Sequence, residues 1–537
     1  MKSKTIKKLY TLHTWVGIIT GILLFVLAFT GSLSVFARPE LKLWANPTTQ
    51  EGKVFDAVKV ESLVQKYAKE VPKQYLEEVT VFLPNVRNFN YLTVLYEDHH
   101  DEGQKTPEMG VVYEFDPNSY ELISKKEGKV DQLFRSRKTD MADFIARFHG
   151  DLHLGRPLGL LLTGVLGLTL MLSVVTGFII HRKKLAQLFT FRRTKSTSLL
   201  LNDGHKVLGI WGMLFHGMIG FTGAFLGLVI IILVPAAAFV SFNGDQDKLL
   251  EAVNATPEAQ LSHQYAATPI ATILTQERKN NPEANLTSIT FDGLNDKTGL
   301  ALISTFGGHN MAFQTSVYHA ADAGFVERFS NLSKLEGHSG PIIDLMFPLH
   351  YGNFGGAFIK IVWAILGITT ALLPVSGMML WVKRGLNANN PRYSVSTYNR
   401  VNKLMLGTCG GVILACAALF PAQLVLSQIS SIERLGYALG WVFFTTWLAA
   451  TIAALIFTNI KSTLTGLTYL TATCLLSIIP LKIGLYQYYQ IATLTSTNMT
   501  ALVIDGFCLL FGIWMLMKLK KVSSSTSLDT EPSPTTA

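Results

Sequence analysis

The sequence predicts a polytopic α-helical membrane protein of about eight transmembrane helices, with two extracytoplasmic α+β domains. Of its 537 residues, 49% are apolar and only 15% are charged, whereas a soluble domain has about 25% charged residues. Eight apolar stretches are long enough to cross a layer of about 30 Å, which takes roughly 20 helical residues each. They lie at about 14–36, 157–180, 206–234, 357–381, 404–427, 435–458, 463–481 and 500–517.

The distribution of charge orients these helices. The basic segments MKSKTIKK, HRKKLAQLFTFRRTK, VKRGLNANNPRYSVSTYNR and KLKK alternate with long segments that carry many acidic residues. The positive-inside rule places the basic segments in the cytoplasm, together with both termini. Residues 38–150 and 241–349 then form two large extracytoplasmic regions. The net charge of +9 is therefore explained by topology, and nucleic-acid binding is not expected.

The first and third apolar stretches repeat one another. His13 is followed by Gly17 and by the triplet FTG at 29–31, and His205 is followed at the same offsets by Gly209 and by FTG at 221–223. The second and fourth stretches also align, with LGLTLMLSVVTGFIIHRK at 166–183 over LGITTALLPVSGMMLWVK at 366–383. Upstream of each lies a histidine near glycines, His149 and His350. Residues 1–200 and 201–390 therefore read as two copies of one unit.

The repeat predicts the organisation of the whole chain. Its segments are a first helix (1–37), an extracytoplasmic domain (38–150), a second helix (151–183), a cytoplasmic loop (184–204), a third helix (205–240), a second extracytoplasmic domain (241–349), a fourth helix (350–384), an appended four-helix bundle (404–518) and a disordered tail (519–537). Each extracytoplasmic region has one segment of helical periodicity followed by alternating, strand-like runs, which is typical of a small α+β domain. The loop EDHHDEGQ at 97–104 is expected to be a solvated turn.

The repeat also places four histidines in two pairs. His13 and His205 are expected at the same inner depth, and His149 and His350 at the same outer depth. A pseudo-twofold axis along the membrane normal would make the members of each pair face one another. Two imidazoles across a helical bundle suit an iron porphyrin, with one nitrogen on each face of the iron. No CxxCH is present, so we expect two non-covalent haems of b type, in preference to histidines that merely line the interface.

Three further histidines rank below these four because the repeat does not reproduce them. His153 lies one helical turn from His149 and is the alternative outer ligand. His216 follows His205 by 11 residues, on nearly the same helix face and roughly 16 Å deeper, where it would ligate a second haem or line the path between two. His181 aligns with Trp381 and would meet lipid headgroups or a haem propionate. A zinc site is not favoured, because zinc needs three or four closely grouped ligands.

The segments LHTWVGIITGILLFVLAFTGSL, FHGDLHLGRPLG, GHKVLGIWG and LHYGNFGG resemble the PepSY-associated transmembrane helix family over about residues 1–385. The resemblance implies a bacterial inner-membrane protein with two periplasmic PepSY-like domains, often iron-regulated. Some members resemble ferric-siderophore reductases that carry haem b. Carried over by position, the recurring histidines of the family fall on His13, His149, His205 and His350. The chain departs from the family pattern at His153, His181 and His216 and in its four C-terminal helices.

The sequence thus predicts a dihaem b-type protein that moves electrons across the inner membrane and reduces a ferric chelate or siderophore in the periplasm. His13 and His205 would hold the inner haem, and His149 and His350 the outer one. The electron donor would be a flavin, a quinone or a reductase partner, because no nucleotide-binding motif is visible. The alternative is a non-enzymatic regulator whose PepSY-like domains bind a peptide or a protease. A transporter is the third possibility.

Overall fold

The computed structural model describes residues 3–45, 55–84, 91–98, 108–133, 140–181, 197–253, 256–306, 313–330, 339–430, 432–457, 459–489 and 499–528. His99 and His100, in the predicted turn at 97–104, lie outside the described residues. The chain forms two compact units. The first comprises Met1–Thr48, Lys138–Gly227 and Lys360–Ala537, and the second comprises Thr49–Arg137 and Leu228–Ile359.

The described residues contain many helices, most of them long and apolar. In the first half of the chain they are α1 (Ser3–Ser34), α2 (Lys42–Ala45), α3 (Ala57–Tyr67), α4 (Val130–Leu133), α5 (Met141–Asp151), α6 (Leu158–Ile180), α7 (Thr197–Trp211), α8 (Met213–Leu228), α9 (Val234–Phe242) and α10 (Gln246–Val253). In the second half they are α11 (Ile270–Asn280), α12 (Ser339–Tyr351), α13 (Gly356–Leu386), α14 (Val395–Ile429), α15 (Ile432–Ile456), α16 (Ile460–Leu476), α17 (Ile478–Tyr489) and α18 (Met499–Leu528).

Eight helical segments of the described residues are long and apolar enough to cross a membrane, as the sequence predicted. They are Lys4–Ser34, Leu158–Ile180, Met213–Phe242, Gly356–Leu386, Val395–Ile429, Arg434–Ile456, Ile460–Leu485 and Met499–Lys520. Together with the β-sheet described below, they confirm the fold class, a polytopic helical membrane protein with β-rich domains.

Two boundaries differ from the sequence-based ones. The third helix begins at Thr197 within the predicted cytoplasmic loop, and it is broken at Gly212 between α7 and α8. The last helix is described to Leu528, ten residues into the segment 519–537 for which a disordered tail was expected, and 529–537 lie outside the described residues. Adding one residue to an existing helix is far easier than starting a new one, which explains how the polar end of α18 continues the apolar span.

The second unit contains a single antiparallel sheet of eight strands, ordered β4-β3-β2-β1-β5-β6-β7-β8. The strands are β1 (Glu78–Phe82), β2 (Leu92–Glu97), β3 (Met109–Phe115), β4 (Leu122–Lys129), β5 (Asn285–Asp292), β6 (Leu300–Phe306), β7 (Phe313–His319) and β8 (Phe325–Ser330). Helices α3 and α11 pack together, and they bury their apolar faces in one core with alternate residues of the strands. Each copy therefore contributes one packed helix and four strands to the sheet region, and the α+β composition agrees with the prediction.

The repeat predicts two separate extracytoplasmic domains, whereas in the structure the strands of the two copies join edge to edge in one sheet. Strand β1 pairs with β5, and Thr80 lies opposite Thr290 with their hydroxyl oxygens 3.0 Å apart. An exposed strand edge invites pairing with another chain, and the pairing of β1 with β5 covers one edge of each four-stranded half. No periodicity in the sequence distinguishes such an inner edge from an outer one.

The first unit is built around a core to which α1, α5, α13 and the C-terminal helices contribute. Helix α5 starts where the Asp140 carboxylate accepts hydrogen bonds from the backbone N–H groups of Ala142 and Asp143, both at 3.0 Å. Its first turn is fixed further by Arg38 and Lys42, which reach the Asp143 carboxylate at 2.8 and 2.7 Å. These contacts set the orientation of the helix that carries His149.

Candidate functional site: histidines of the helical core

His13 and His205 face each other in the first unit. Their ring centroids are 6.2 Å apart and the ring planes are inclined at 77°. Two metal–nitrogen bonds of about 2 Å, plus roughly 1 Å from each nitrogen to its ring centre, give about 6 Å for two imidazoles on one metal ion. The spacing therefore would allow His13 and His205 to hold one metal ion between them.

Equivalent hydroxyl groups of the two copies anchor these rings. His13 Nδ1 lies 3.1 Å from Thr176 Oγ1, and His205 Nδ1 lies 3.0 Å from Ser376 Oγ and 3.2 Å from the Leu373 carbonyl. Thr176 and Ser376 occupy the same position in the overlaid second and fourth helices. The repeat is thus preserved in contacts as well as in sequence.

The hydrogen bonds also determine which ring nitrogen carries the proton. The Thr176 hydroxyl donates to the Leu172 carbonyl at 2.7 Å, so its oxygen accepts from His13 Nδ1–H. A carbonyl can only accept, so His205 also carries its proton on Nδ1. In both rings Nε2 is left with its lone pair, and no hydrogen bond among the described residues engages it. A metal-binding histidine is oriented in the same way, by a partner on its other nitrogen.

Small residues allow close approach to the rings. An ideal Cβ added to Gly177 would lie 3.2 Å from His13 Cε1, and one added to Gly377 would lie 3.3 Å from His205 Cε1. Gly17, one turn after His13 on the same helix face, would meet nothing within 4 Å, and Gly209 only a Leu373 methyl at 3.6 Å. Open space therefore flanks the pair where the sequence analysis expected a macrocycle.

His149 has the same proton position as the inner pair. Its Nδ1 donates to the Leu27 carbonyl at 2.9 Å, so Nε2 carries the lone pair. An ideal Cβ on Gly31 would lie only 2.7 Å from His149 Cε1, and this close approach requires the glycine of the FTG triplet. Burial lowers the pKa of His149, which keeps the imidazole neutral, as a metal ligand must be.

His153 lies in a different environment from His149. It follows α5 in the left-handed region, with φ +55°. Its Nε2 lies 3.1 Å from the Phe144 carbonyl and must carry the proton there. Its ring packs 4.3 Å from Phe144 and 6.2 Å from Phe444 of the C-terminal helices, centroid to centroid. The proton position and the aromatic packing both favour a structural histidine, and His149 is the better candidate ligand.

His216 is fully buried, and both of its nitrogens are engaged. Nδ1 lies 2.8 Å from Thr370 Oγ1, and Nε2 lies 3.2 Å from the Leu208 carbonyl, which can only accept. The ring fills the break between α7 and α8, where an ideal Cβ on Gly212 would lie 2.2 Å from it. His216 thus joins two helices, a role that could not be predicted from the repeat because the other copy has no histidine at the matching position.

His350 and His181 are the remaining candidate histidines, and each lies at the C-terminal end of a helix. His350 lies in the last turn of α12 in the second unit, with its ring 5.9 Å from that of Tyr351. The pairing of His149 with His350 stays a prediction. His181 caps the C-terminal end of α6 with an extended backbone. The helices α5 and α12 that carry the outer histidines occupy matching places in the two copies, a feature that periodicity did not reveal.

A family model described as the PepSY-associated TM region matches residues 10–384. The chain belongs to this family. The PepSY-associated region contains all seven candidate histidines and both halves of the sheet, and it ends before α14. An uncharacterised protein of Pseudomonas aeruginosa is 26% identical over 332 residues, which cover 58% of this chain and 79% of that relative. The helices α14–α18 therefore lie outside the part that defines the family.

Proposed function

We propose that this PepSY-associated membrane protein is a b-type dihaem electron carrier of the bacterial inner membrane that reduces ferric chelates, siderophores among them, in the periplasm. The observation that carries the proposal is the facing pair of His13 and His205. Their rings are 6.2 Å apart, and each presents an unprotonated Nε2. When bound, haem would supply a one-electron carrier, and the protein sets its position and its potential.

Neighbouring residues hold the two imidazole rings in place and leave space beside them. Thr176 and Ser376 hold Nδ1 of each ring, which fixes the rotation of the imidazole and raises its basicity as a ligand. Gly17 and Gly209 leave room beside the rings. The two histidines lie on apolar helices, and the low dielectric of such surroundings would strengthen the influence of nearby charges on the potential.

The repeat and the proton position of His149 support the outer haem. His149 Nδ1 donates to the Leu27 carbonyl, which leaves the proton on the same ring nitrogen as in the inner histidines, and His350 is its repeat mate in the sequence. The donor on the cytoplasmic side would be a flavin, a quinone or a reductase partner. Reduction of a ferric chelate transfers one electron to Fe(III), and hard oxygen ligands then hold the softer Fe(II) less tightly, which releases it.

The first test is haem content. The purified protein is expressed with ample haem supply, and haem per chain is counted along with the dithionite-reduced minus oxidised spectrum. We expect two b-type haems for the wild type and loss of the same haem in His13→Ala and His205→Ala. His216→Gln and the exposed His319→Ala serve as matched controls and should retain both.

The second test is electron transfer to iron. The reduced protein is mixed with ferric chelates in the presence of a chromophoric Fe(II) trap, and haem reoxidation is followed. Two Fe(II) per two-haem chain are expected. A wild type without haem would refute the electron carrier and leave a regulator with peptide-binding PepSY-like domains. Bound haem that does not reduce any chelate would refute only the choice of acceptor.

A further inference from the structure

Three polar residues meet at one end of the helices that carry the inner histidine pair. The Arg384 guanidinium donates to the Tyr10 hydroxyl through Nη1 and to Asn202 Oδ1 through Nη2, at 3.4 Å for the latter. Tyr10 belongs to α1, Asn202 to α7 and Arg384 to α13. These three residues form what we call the inner polar cap.

The repeat positions this cap relative to the histidines. Tyr10 lies three residues before His13, and Asn202 lies three residues before His205, so the two are equivalent positions. Three residues rise about 4.5 Å along a helix and return to nearly the same face. Arg384 follows Gly377, which packs on His205, by seven residues, or about two turns. The cap therefore lies about one turn beyond the pair, at the end of α1 where the chain begins.

The charge of Arg384 is not compensated within the described residues. No carboxylate there lies within ion-pair distance of it, and its two hydrogen-bond partners are neutral. A guanidinium has five N–H donors, of which two are used here. Its planar fork matches a carboxylate in a bidentate manner. The side chain is exposed, so it is accessible to an anionic ligand.

We propose that the inner polar cap binds a propionate carboxylate of the haem held by His13 and His205. This inference rests on the proposed function and identifies the part of the cofactor that the cap recognises. A porphyrin between the two rings has apolar edges that suit the membrane interior and one edge with two carboxylates. Arg384 lies beyond one end of the histidine pair, and the edge with the two carboxylates would face that end. Tyr10 and Asn202 are positioning residues that hold the guanidinium above the pair.

The test compares substitutions at Arg384 with one at a neighbouring cation on the same helix. Arg384→Gln, Arg384→Lys and Lys383→Gln are purified as full-length protein, and both haem content and the midpoint potential of each haem are measured. A charge-assisted hydrogen bond contributes about 1.5–3 kcal/mol, so Arg384→Gln should weaken retention of one haem roughly 10-fold or more. That haem should also shift to a more negative potential, because the lost cation favoured the reduced state.

The controls separate a specific contact from a general effect of charge. Arg384→Lys should recover part of the potential shift, and Lys383→Gln should match the wild type. Wild-type haem content and both wild-type potentials in Arg384→Gln would overturn the inference and assign the guanidinium to lipid headgroups. A wild type that binds no haem at all would instead overturn the proposed function, and the inference with it. The two failures are therefore distinguishable.

Discussion

The two copies of the repeat agree at the inner histidines and differ in the cores of their halves of the sheet. Thr176 and Ser376 anchor His13 and His205 in the same way. In the sheet, by contrast, α3 buries Val64 at the position where α11 buries Glu277, and both side chains are fully inaccessible. The two copies have thus kept the hydroxyl groups that orient the facing histidines, whereas the residues buried in the core of the sheet have diverged.

The C-terminal helices add a further asymmetry, because they pack on parts of the first copy. Trp44 Nε1 donates to Asp505 Oδ1 at 2.7 Å, and Lys482 Nζ lies 2.6 Å from Asp505 Oδ2. Lys482 also lies over the Trp44 ring, 5.0 Å from its centroid. A buried ion pair within apolar helices is costly to break. This cluster therefore ties α17 and α18 to the segment that follows α1.

The largest expected effect comes from breaking that ion pair. Asp505→Asn keeps an acceptor for Trp44 but leaves the Lys482 ammonium buried without a counter-charge, and we expect a loss of about 3–5 kcal/mol in the free energy of unfolding. Unfolding in detergent with increasing SDS measures it. The double variant Lys482→Met/Asp505→Asn removes both charges and should regain most of the stability. Equal losses in the single and double variants would contradict this account.

The next effect distinguishes the two halves of the sheet. Glu277 is bonded by Arg328 at 3.0 Å, by Tyr318 at 2.8 Å and by Ser316 at 3.1 Å. Glu277→Gln removes the charge that Arg328 pairs with, and the expected cost is about 2 kcal/mol, because Arg328 is partly solvated. Limited proteolysis of the second half of the sheet against urea measures it. Exposed Glu258→Gln is the control, and an equal effect there would refute the assigned contribution.

A smaller effect tests how far the copies are equivalent at the inner site. Thr176→Val removes the side-chain hydroxyl partner of His13 Nδ1, and about tenfold weaker haem retention is expected. Ser376→Ala should have a similar effect, because each ring keeps one backbone carbonyl partner, Ser173 for His13 and Leu373 for His205. Haem release to an apoprotein acceptor measures both. Indistinguishable release rates for the wild type and Thr176→Val would remove the anchoring role.

A further comparison concerns a pH dependence that Glu97 adds to the first copy. Burial, with the nearby carboxylates of Glu78, Glu108 and Asp98, raises the pKa of Glu97 from 4.5 to about 8. The folded state therefore favours the protonated acid, and its contribution to stability is complete below pH 4.5 and lost as the pH rises through 8. Strand β6, which corresponds to β2 in the second copy, contains no acidic residue.

Unfolding transitions recorded between pH 4.5 and 8 measure this dependence. Glu97→Gln should make the stability of the sheet flatter over that range, whereas Glu121→Gln, on an exposed turn, should retain the wild-type slope. If Glu97→Gln keeps the wild-type dependence of stability on pH, another group must account for the titration.

The sequence predicted the membrane helices, the α+β composition of each half of the sheet region and the proximity of His13 to His205. Helical length, alternation and internal overlay suffice for these features because they repeat at fixed spacing. The hydrogen bonds that separate His149 from His153 depend on which carbonyl each ring reaches, and spacing along the chain does not contain that information. The continuous sheet and the contact of Trp44 with Asp505 join residues far apart in sequence, so local patterns did not reveal them.

The strand pair at the centre of the sheet also has a consequence for biosynthesis. Thr80 and its partner Thr290 are 210 residues apart. At about 5–20 residues per second, β1 is made roughly 10–40 s before β5, and two membrane helices must insert in between. During that interval the nascent first half presents an open strand edge. Biogenesis of this protein thus creates a defined period of aggregation risk, for which a holding chaperone is the natural remedy.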